Sequence, residues 1–300
     1  MFNEKLVKLT QSQRDRLAFV EMRIRFLGVI RRHDLVARFG IQSAAATRDL
    51  ALYKELAPRN IDYDLRGKSY VLGQQFQPFF DFSADRIISW ITQGFGDGEP
   101  TGLKAWVVSE SSSQLRHLDL DVLACVTRAI YQQCPLCIKY HSITSGDTER
   151  EIVPFALLDN GLSWHIRAFD RQSQEFRDFV ITRIRRPVML KGQTVLPHEV
   201  SDQDIQWTRI VELALIPHPG KPRPEVTEMD FGMRDGVLLV KLHAATAGHI
   251  LRKWNVDCSP DHSLQGNDYR LWLKDPLALY GTENAALAPG YVFQQEGQNK

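Results

Sequence analysis

The chain has 300 residues, 43% of them hydrophobic and 24% charged, with 37 Lys and Arg against 36 Asp and Glu for a net charge of +1. That length suggests two or three domains, since single cores rarely grow past about 250 residues, and the balanced charge means that any nucleic-acid surface must be a local patch. No apolar run approaches the roughly 18 residues that a membrane span needs, and MFNEKLVKLT lacks a signal-peptide core, so a cytoplasmic location is expected.

Residues 1–95 read as one module. Ser12 to Gly28 is an amphipathic helix, with Leu17, Val20, Ile24 and Leu27 at helical spacing. Arg31-Arg32-His33 leads to a short helix over Asp34–Phe39, and Gly40 suits its left-handed C-terminal stop. Ser43 is placed to cap a further helix that runs to about Ala57, before Pro58. Asn60–Leu65 and Ser69–Leu72 then flank Arg66-Gly67-Lys68, a hairpin with a basic tip. Helix, helix–turn–helix and hairpin in this order make a winged helix-turn-helix. The candidate contacts to double-stranded DNA are Arg31, Arg32, Gln42, Ser43, Thr47, Arg48 and Lys54, with Arg66 and Lys68 meeting phosphates or the minor groove. The plainer alternative pairs Arg48 with Asp49 or Glu55 on a solvated face. The stretch Val36-Ala37-Arg38-Phe39-Gly40-Ile41-Gln42-Ser43, followed by Thr47-Arg48-Asp49-Leu50, resembles the DeoR-type reading head.

Residues 96–116 are expected to be linker. Before them, Gln74–Phe82 is aromatic and broken by proline, and Ser83 is placed to cap a helix Ala84–Gln93. Gly94–Gly102 is glycine-rich, Lys104–Val108 a short strand and Ser109–Ser113 a polar loop. Asp119–Gln132 is a helix with Leu120, Leu123, Val126 and Ile130 on its apolar face, read as packing. Cys134-Pro135-Leu136-Cys137 has the spacing of a zinc knuckle or redox pair. Cys125 and Cys258 stand far off in sequence and lack partners at that spacing, and the nearest histidine is His141, with His33 and His243 distant; four ligands are not assembled, so buried thiols, and no metal or other cofactor, are expected.

From Tyr140 to Arg186 the period becomes two. In Leu162–Ala168, Trp164 and Ile166 point one way and His165 and Arg167 the other. Phe176–Arg183 is a second strand candidate, and Asp159-Asn160-Gly161 a hairpin signal. Short strands with turns about every ten residues suggest a small β-barrel, within a segment 117–200. Its polar candidates are Tyr140, Ser142, His165, Arg167, Arg177 and Arg183, taken as pairs on shared strand faces. Arginine forks suit phosphate or carboxylate, and Tyr or His stacks on a base. The alternative is a set of solvated cross-strand pairs with Asp170, Glu175 and Asp178.

Residues 201–300 begin with a strand candidate at Thr208–Leu215 and a proline-rich loop from Ile216. A strand over 236–242, a helix Ala244–Trp254 and a strand Tyr269–Lys274 follow, an order that suggests a small α+β sandwich. His218 and His243 have no partners at metal spacing and receive no role.

The run Pro154…Gly161-Leu162-Ser163-Trp164-His165-Ile166-Arg167-Ala168…Phe176-Arg177-Asp178-Phe179…Arg183-Ile184 resembles the WYL domain of bacterial transcription regulators, with His165 and Ile166 where that family has Tyr and Leu. The resemblance implies an SH3- or Sm-like barrel that senses a nucleotide or nucleic-acid-like ligand at the six polar positions. The segment after Pro197 resembles the C-terminal extension that helps such regulators dimerise. Three blocks, about 11–73, 117–190 and 205–277, are together similar to regulators found beside phage-defence operons of the BREX and CBASS types, called BrxR and CapW. The fold class expected is therefore α+β and multidomain: winged helix-turn-helix, central barrel and C-terminal α+β dimerisation domain. The function implied is that of a homodimeric repressor on an inverted-repeat operator, with no catalytic residues and no membrane partner. A factor that bridges DNA without sequence preference, or an enzyme acting on nucleotides, would be the alternative.

Overall fold

A computed structural model describes residues 9–93, 118–160 and 162–292. The chain forms two compact units, the first made of Met1–Pro154 with Ile181–Thr194 and the second of Phe155–Val180 with Val195–Lys300.

The first unit opens with α1 (Gln11–Leu27). Thr10 and Gln13 form a reciprocal capping box at its start, and Gly28 ends it at φ 80°, a left-handed conformation that glycine takes without strain. Leu17, Val20 and Ile24 are fully buried. After β1 (Val29–Ile30), α2 (Arg32–Phe39) starts two residues earlier than expected. The reason is that Asp34 sits at the third helical position, where its carboxylate accepts the Arg31 N–H at 2.7 Å. In α3 (Ser43–Leu56) the flanking residue is Gln42, and Ser43 is already helical. Ser43 therefore does not cap; its carbonyl accepts the Thr47 hydroxyl at 3.0 Å. β2 (Ile61–Asp64) and β3 (Ser69–Leu72) form the expected hairpin, and β1 adds to it in the order β1-β3-β2. A two-residue strand such as β1 is too short to show a period of its own.

Further along, α4 (Ala84–Gln93) matches its expected bounds, while the expected glycine-rich stretch, the Lys104–Val108 strand and the Ser109–Ser113 loop lie outside the described residues. α5 (Leu120–Tyr131) is capped by Asp119 and docks on α1. Thr127 donates its hydroxyl to the Phe26 carbonyl at 2.8 Å, Gln132 its amide to Leu27 at 2.9 Å, and Arg25 bridges to Asp121 at 2.9 Å. β4 (Leu136–Ser142) pairs with the first part of β5 (Gly146–Asp159). The chain then passes through β6 (Trp164–Asp170) and β7 (Glu175–Val180). It returns to the first unit as a 3-10 turn (Ile181–Arg183) and β8 (Ile184–Met189), which pairs with the other edge of β4.

In the second unit, β6 and β7 are antiparallel neighbours beside the last residues of β5. α6 (Ile205–Thr208) replaces the beginning of the strand expected from Thr208, because Asp204 accepts the N–H groups of Gln206 and Trp207 at 3.0 and 3.2 Å and starts a helical turn there. β9 (Ile210–Pro217), α7 (Pro224–Phe231), β10 (Leu238–His243), α8 (Ala244–Lys253), β11 (Val256–Asp257) and β12 (Leu271–Leu273) follow. The sheet order is β10-β9-β12-β11, with β11 and β12 parallel. Its core gathers Val211, Leu213, Leu215, Leu251, Val256 and Leu273. No described helix is long and apolar enough to cross a membrane.

Candidate nucleic-acid interface and sensor residues

On α3 the inward side carries Ala46, Asp49, Leu50 and Tyr53. Asp49 is engaged by Arg16 of α1, Nε to Oδ2 at 2.6 Å, so of the two partners the plainer alternative gave Arg48, Asp49 and Glu55, the first is taken by another arginine. Tyr53 donates its hydroxyl to Glu21 at 2.8 Å, and Asn60 donates its side-chain amide to the Tyr53 oxygen at 3.2 Å. Glu21 also accepts the backbone N–H groups of Phe79 and Phe80 at 2.9 Å. Burial pushes the Glu21 carboxyl up to about 7, while the Phe80, Tyr53 and Phe79 hydrogen bonds pull the other way. The inner face of α3 is thus locked to α1, to the base of the wing and to the segment after it.

The outer face is a stripe of exposed residues: Ser43, Ala44, Thr47, Arg48, Ala51 and Lys54. The two alanines keep the ridge low between long cations, which suits a helix that must fit a major groove about 12 Å wide. Gln42, Arg31 and Arg32 are exposed as well. At the wing tip Asp64 accepts the Arg66 N–H at 2.9 Å, and Arg66 and Lys68 are exposed on a turn so closed that a Cβ at Gly67 would lie 2.6 Å from the Asp64 carboxylate.

Of the three shared faces expected among the six sensor candidates, two follow from strand alternation, Tyr140 with Ser142 on β4 and His165 with Arg167 on β6, and the third does not form. Tyr140, Ser142 and Arg183 belong to the first unit and His165, Arg167 and Arg177 to the second. Tyr140 is buried. Ser142 is the last residue of β4, and its hydroxyl accepts the N–H groups of Thr144 and Ser145 in the turn that follows, at 3.3 and 3.2 Å. Arg183 does not share a strand face with Arg177, because β7 ends at Val180 and Arg183 lies in the 3-10 turn.

β6 departs most from its pattern. His165 and Arg167 were expected on an open polar face, yet every residue from His165 to Asp170 is buried. Arg167 is 4% exposed in its side chain and is gripped through two nitrogens by Asp204, at 2.7 and 3.1 Å. Its third nitrogen meets Asp178, its cross-strand neighbour, at 3.2 Å. Burial alone would lower the Arg167 pKa; the Asp204 hydrogen bonds and the Asp178 charge outweigh it and raise it. Arg167 is therefore a structural cation, not an open fork. Arg177 pairs with Glu175 at 2.7 Å, a partner the solvated alternative named, but along its own strand and not across strands. It borders an open groove of about 570 Å³ that Glu175, Asp204 and Glu283 also line, three carboxylates that oppose an anion there. His165 keeps an inward position: its Nδ1 donates to the Ser163 carbonyl at 3.1 Å, and its ring lies 5.5 Å from that of His249.

Three polar centres had no place in the sequence reading. Asp204 was visible as a helix-capping type ahead of Ile205-Gln206-Trp207, but nothing local pointed to Arg167. Glu21 shows no local signal. His218, given no role, is buried with Nε2 3.0 Å from Asp257, while its Nδ1 accepts the Gly220 N–H at 3.0 Å. Cys125, Cys134 and Cys258 are buried free thiols, and burial pushes Cys258 up to about 12. Among the described residues no group of three or more His, Cys, Asp or Glu could hold a metal ion.

Comparison with known proteins matches three stretches to family models. Residues 12–93 match the BrxR transcriptional regulator winged helix-turn-helix domain, residues 121–189 the WYL domain, and residues 210–279 the BrxR transcriptional regulator C-terminal dimerization domain. The DNA-binding transcriptional repressor CapW of Escherichia coli (strain KTE188) is 30% identical over 260 residues, 83% of this chain and 85% of that one. The repressors of the same name from Pseudomonas aeruginosa and Stenotrophomonas maltophilia are each 31% identical, over 82% and 83% of this chain and 83% and 85% of theirs. Among solved structures, proteasome accessory factor B/C (PafBC) of Arthrobacter aurescens aligns with 91% of this chain at 16% identity and a TM-score of 0.26, and the chain spans about half (48%) of its length.

Proposed function

The chain belongs to the CapW family of DNA-binding transcriptional repressors, and from that premise we propose that it represses transcription by binding an inverted-repeat operator as a homodimer. The observation that carries the proposal is the outer face of α3, where Thr47, Arg48 and Lys54 stand exposed while the inner face is fixed by buried bonds. The reading head spans residues 1–95 and the linker 96–116. The sensor segment spans 117–200, and residues 201–300 join two copies. A nucleotide or nucleic-acid-like effector releases the operator, and a phage-defence operon is the regulated unit. The protein acts in the cytoplasm and by binding alone, so magnesium-supported nuclease and phosphatase assays give no turnover.

Release by about 100-fold requires roughly 2.7 kcal/mol of difference in effector affinity between the two states. The deciding experiment is an anisotropy titration of the DNA upstream of the protein's own gene, at fixed salt with scrambled competitor. Tight, competitor-resistant binding by two copies supports the proposal. Equal binding to every duplex, with a steep salt slope, would replace the repressor with a bridging factor.

A further inference from the structure

Two adjoining recesses in the second unit differ in chemistry. The inner one, of about 160 Å³, is lined by Leu157, Leu158, Ile250 and Thr246 around the His165 and His249 rings, with Asp159 and Asn160 at its edge. The outer one, of about 320 Å³, is lined by Asn160, Leu162, His249, Arg252, Lys253 and Asn255. Asn160 and His249 border both. From this arrangement we propose that the cavity binds a small phosphate monoester carried on a flat ring, the phosphate in the outer recess and the ring in the inner one.

The outer lining is rich in donors. Asn160, which lines both recesses, spends its Oδ1 on the N–H groups of Leu162 and Ser163, at 3.0 and 2.8 Å, which leaves its Nδ2 as a donor. Arg252 and Lys253 supply two positive charges from the last turn of α8, which offset the partial negative charge of that helix end. Lys253 holds Asp159 at 2.9 Å, a partner that a phosphate would share or replace. A tetrahedral phosphate, with three oxygens to satisfy, matches two cations and an amide better than a two-oxygen carboxylate does. In the inner recess the two imidazole rings, inclined by 37°, and the Leu and Ile side chains offer a surface that fits a planar ring. The outer volume alone reaches the lower end of the range of small-molecule pockets.

This inference rests on the effector reading above, and moves the site away from Arg167 and Arg177. It is tested on the full-length protein by calorimetric titration with phenyl phosphate and adenosine 5′-monophosphate, with inorganic phosphate alone as the control, and with the same samples titrated against operator DNA. At least one ester should bind, and inorganic phosphate at least tenfold more weakly. In the variant carrying Arg252→Ala and Lys253→Ala, both exposed positions, ester binding should fall at least tenfold while operator binding in the absence of ester is unchanged. The ester that binds distinguishes a compact aromatic phosphate from a nucleotide. Absence of ester binding, equal binding of inorganic phosphate, or equal ester binding by the double variant would overturn the site and leave the repressor reading standing. Ester binding without operator recognition would sink the repressor reading and keep the site.

Discussion

At the scale of single residues, the buried ion pairs behave differently from what a count of charges implies. Arg167 and Asp204 are both almost fully enclosed. Removing one leaves the other charged and unpaired, so Arg167→Ala should destabilise the second unit by about 3–5 kcal/mol in urea unfolding, with part of the loss restored by adding Asp204→Asn. Wild-type stability in the single variant would show that the pair is not the clamp its geometry describes. Glu21 gives a prediction in pH. Its carboxyl is raised by burial from 4.5 to about 7, so as pH rises the unfolded chain releases this proton before the folded one. The head should therefore lose stability between about pH 4.5 and 7, by roughly 3 kcal/mol in all, and level off above. Glu21→Gln removes the titrating group, and unfolding curves of that variant across this interval should be flat relative to wild type. Periodicity in β6 predicted which residues alternate, and it failed on exposure. Arg167 finds its carboxylates 11 and 37 residues further along the chain, beyond any local pattern.

At the scale of elements, the segments that were legible carry their own start and stop signals. α1 has its capping box and Gly28, and the wing has a turn between two β-rich runs. α4 matches its expected bounds because Ser83 precedes a clean amphipathic run. α7, not expected from the sequence, begins on the last proline of the proline-rich loop, and Pro224 at its first position is a helix-start signal. The wing makes a prediction of its own. Arg66→Ala and Lys68→Ala should each lower the salt slope of operator binding by about 1, with sequence preference unchanged, as expected of phosphate contacts. Arg48→Ala should cost about 1–3 kcal/mol of operator affinity and relax specificity, as expected of a base contact. α8 offers a test of packing. Alanine in place of a helical glycine ordinarily gains about 1 kcal/mol. At Gly248, however, a Cβ would lie 1.9 Å from the Asn284 carbonyl oxygen, so Gly248→Ala should lower the unfolding temperature of the second unit.

At the scale of the whole molecule, sequence pattern together with the family resemblance yielded the order of modules, and the family models match three stretches in that order. It did not anticipate that the barrel strands divide between two compact units, since that depends on contacts formed far apart in the chain. A two-fold repressor on a two-fold operator predicts that destroying one half-site lowers affinity roughly a hundredfold or more, because the second contact is then no longer intramolecular. An affinity indifferent to the second half-site would remove the dimer from the mechanism.

The division of the chain also has a bearing on how the protein is made. The first unit recruits Ile181–Thr194, which follow the 26 residues of Phe155–Val180 belonging to the second unit. A ribosome adding about 5–20 residues per second must therefore extrude β6 and β7 before the first unit can receive β8. Within those two strands Arg167 has Asp178 alone, and its two-nitrogen partner Asp204 is made later. Nascent chains arrested once β7 has left the ribosome but before Asp204 has emerged should expose Ile166 and Phe169, side chains buried in the finished protein, and should be the species that chaperones capture.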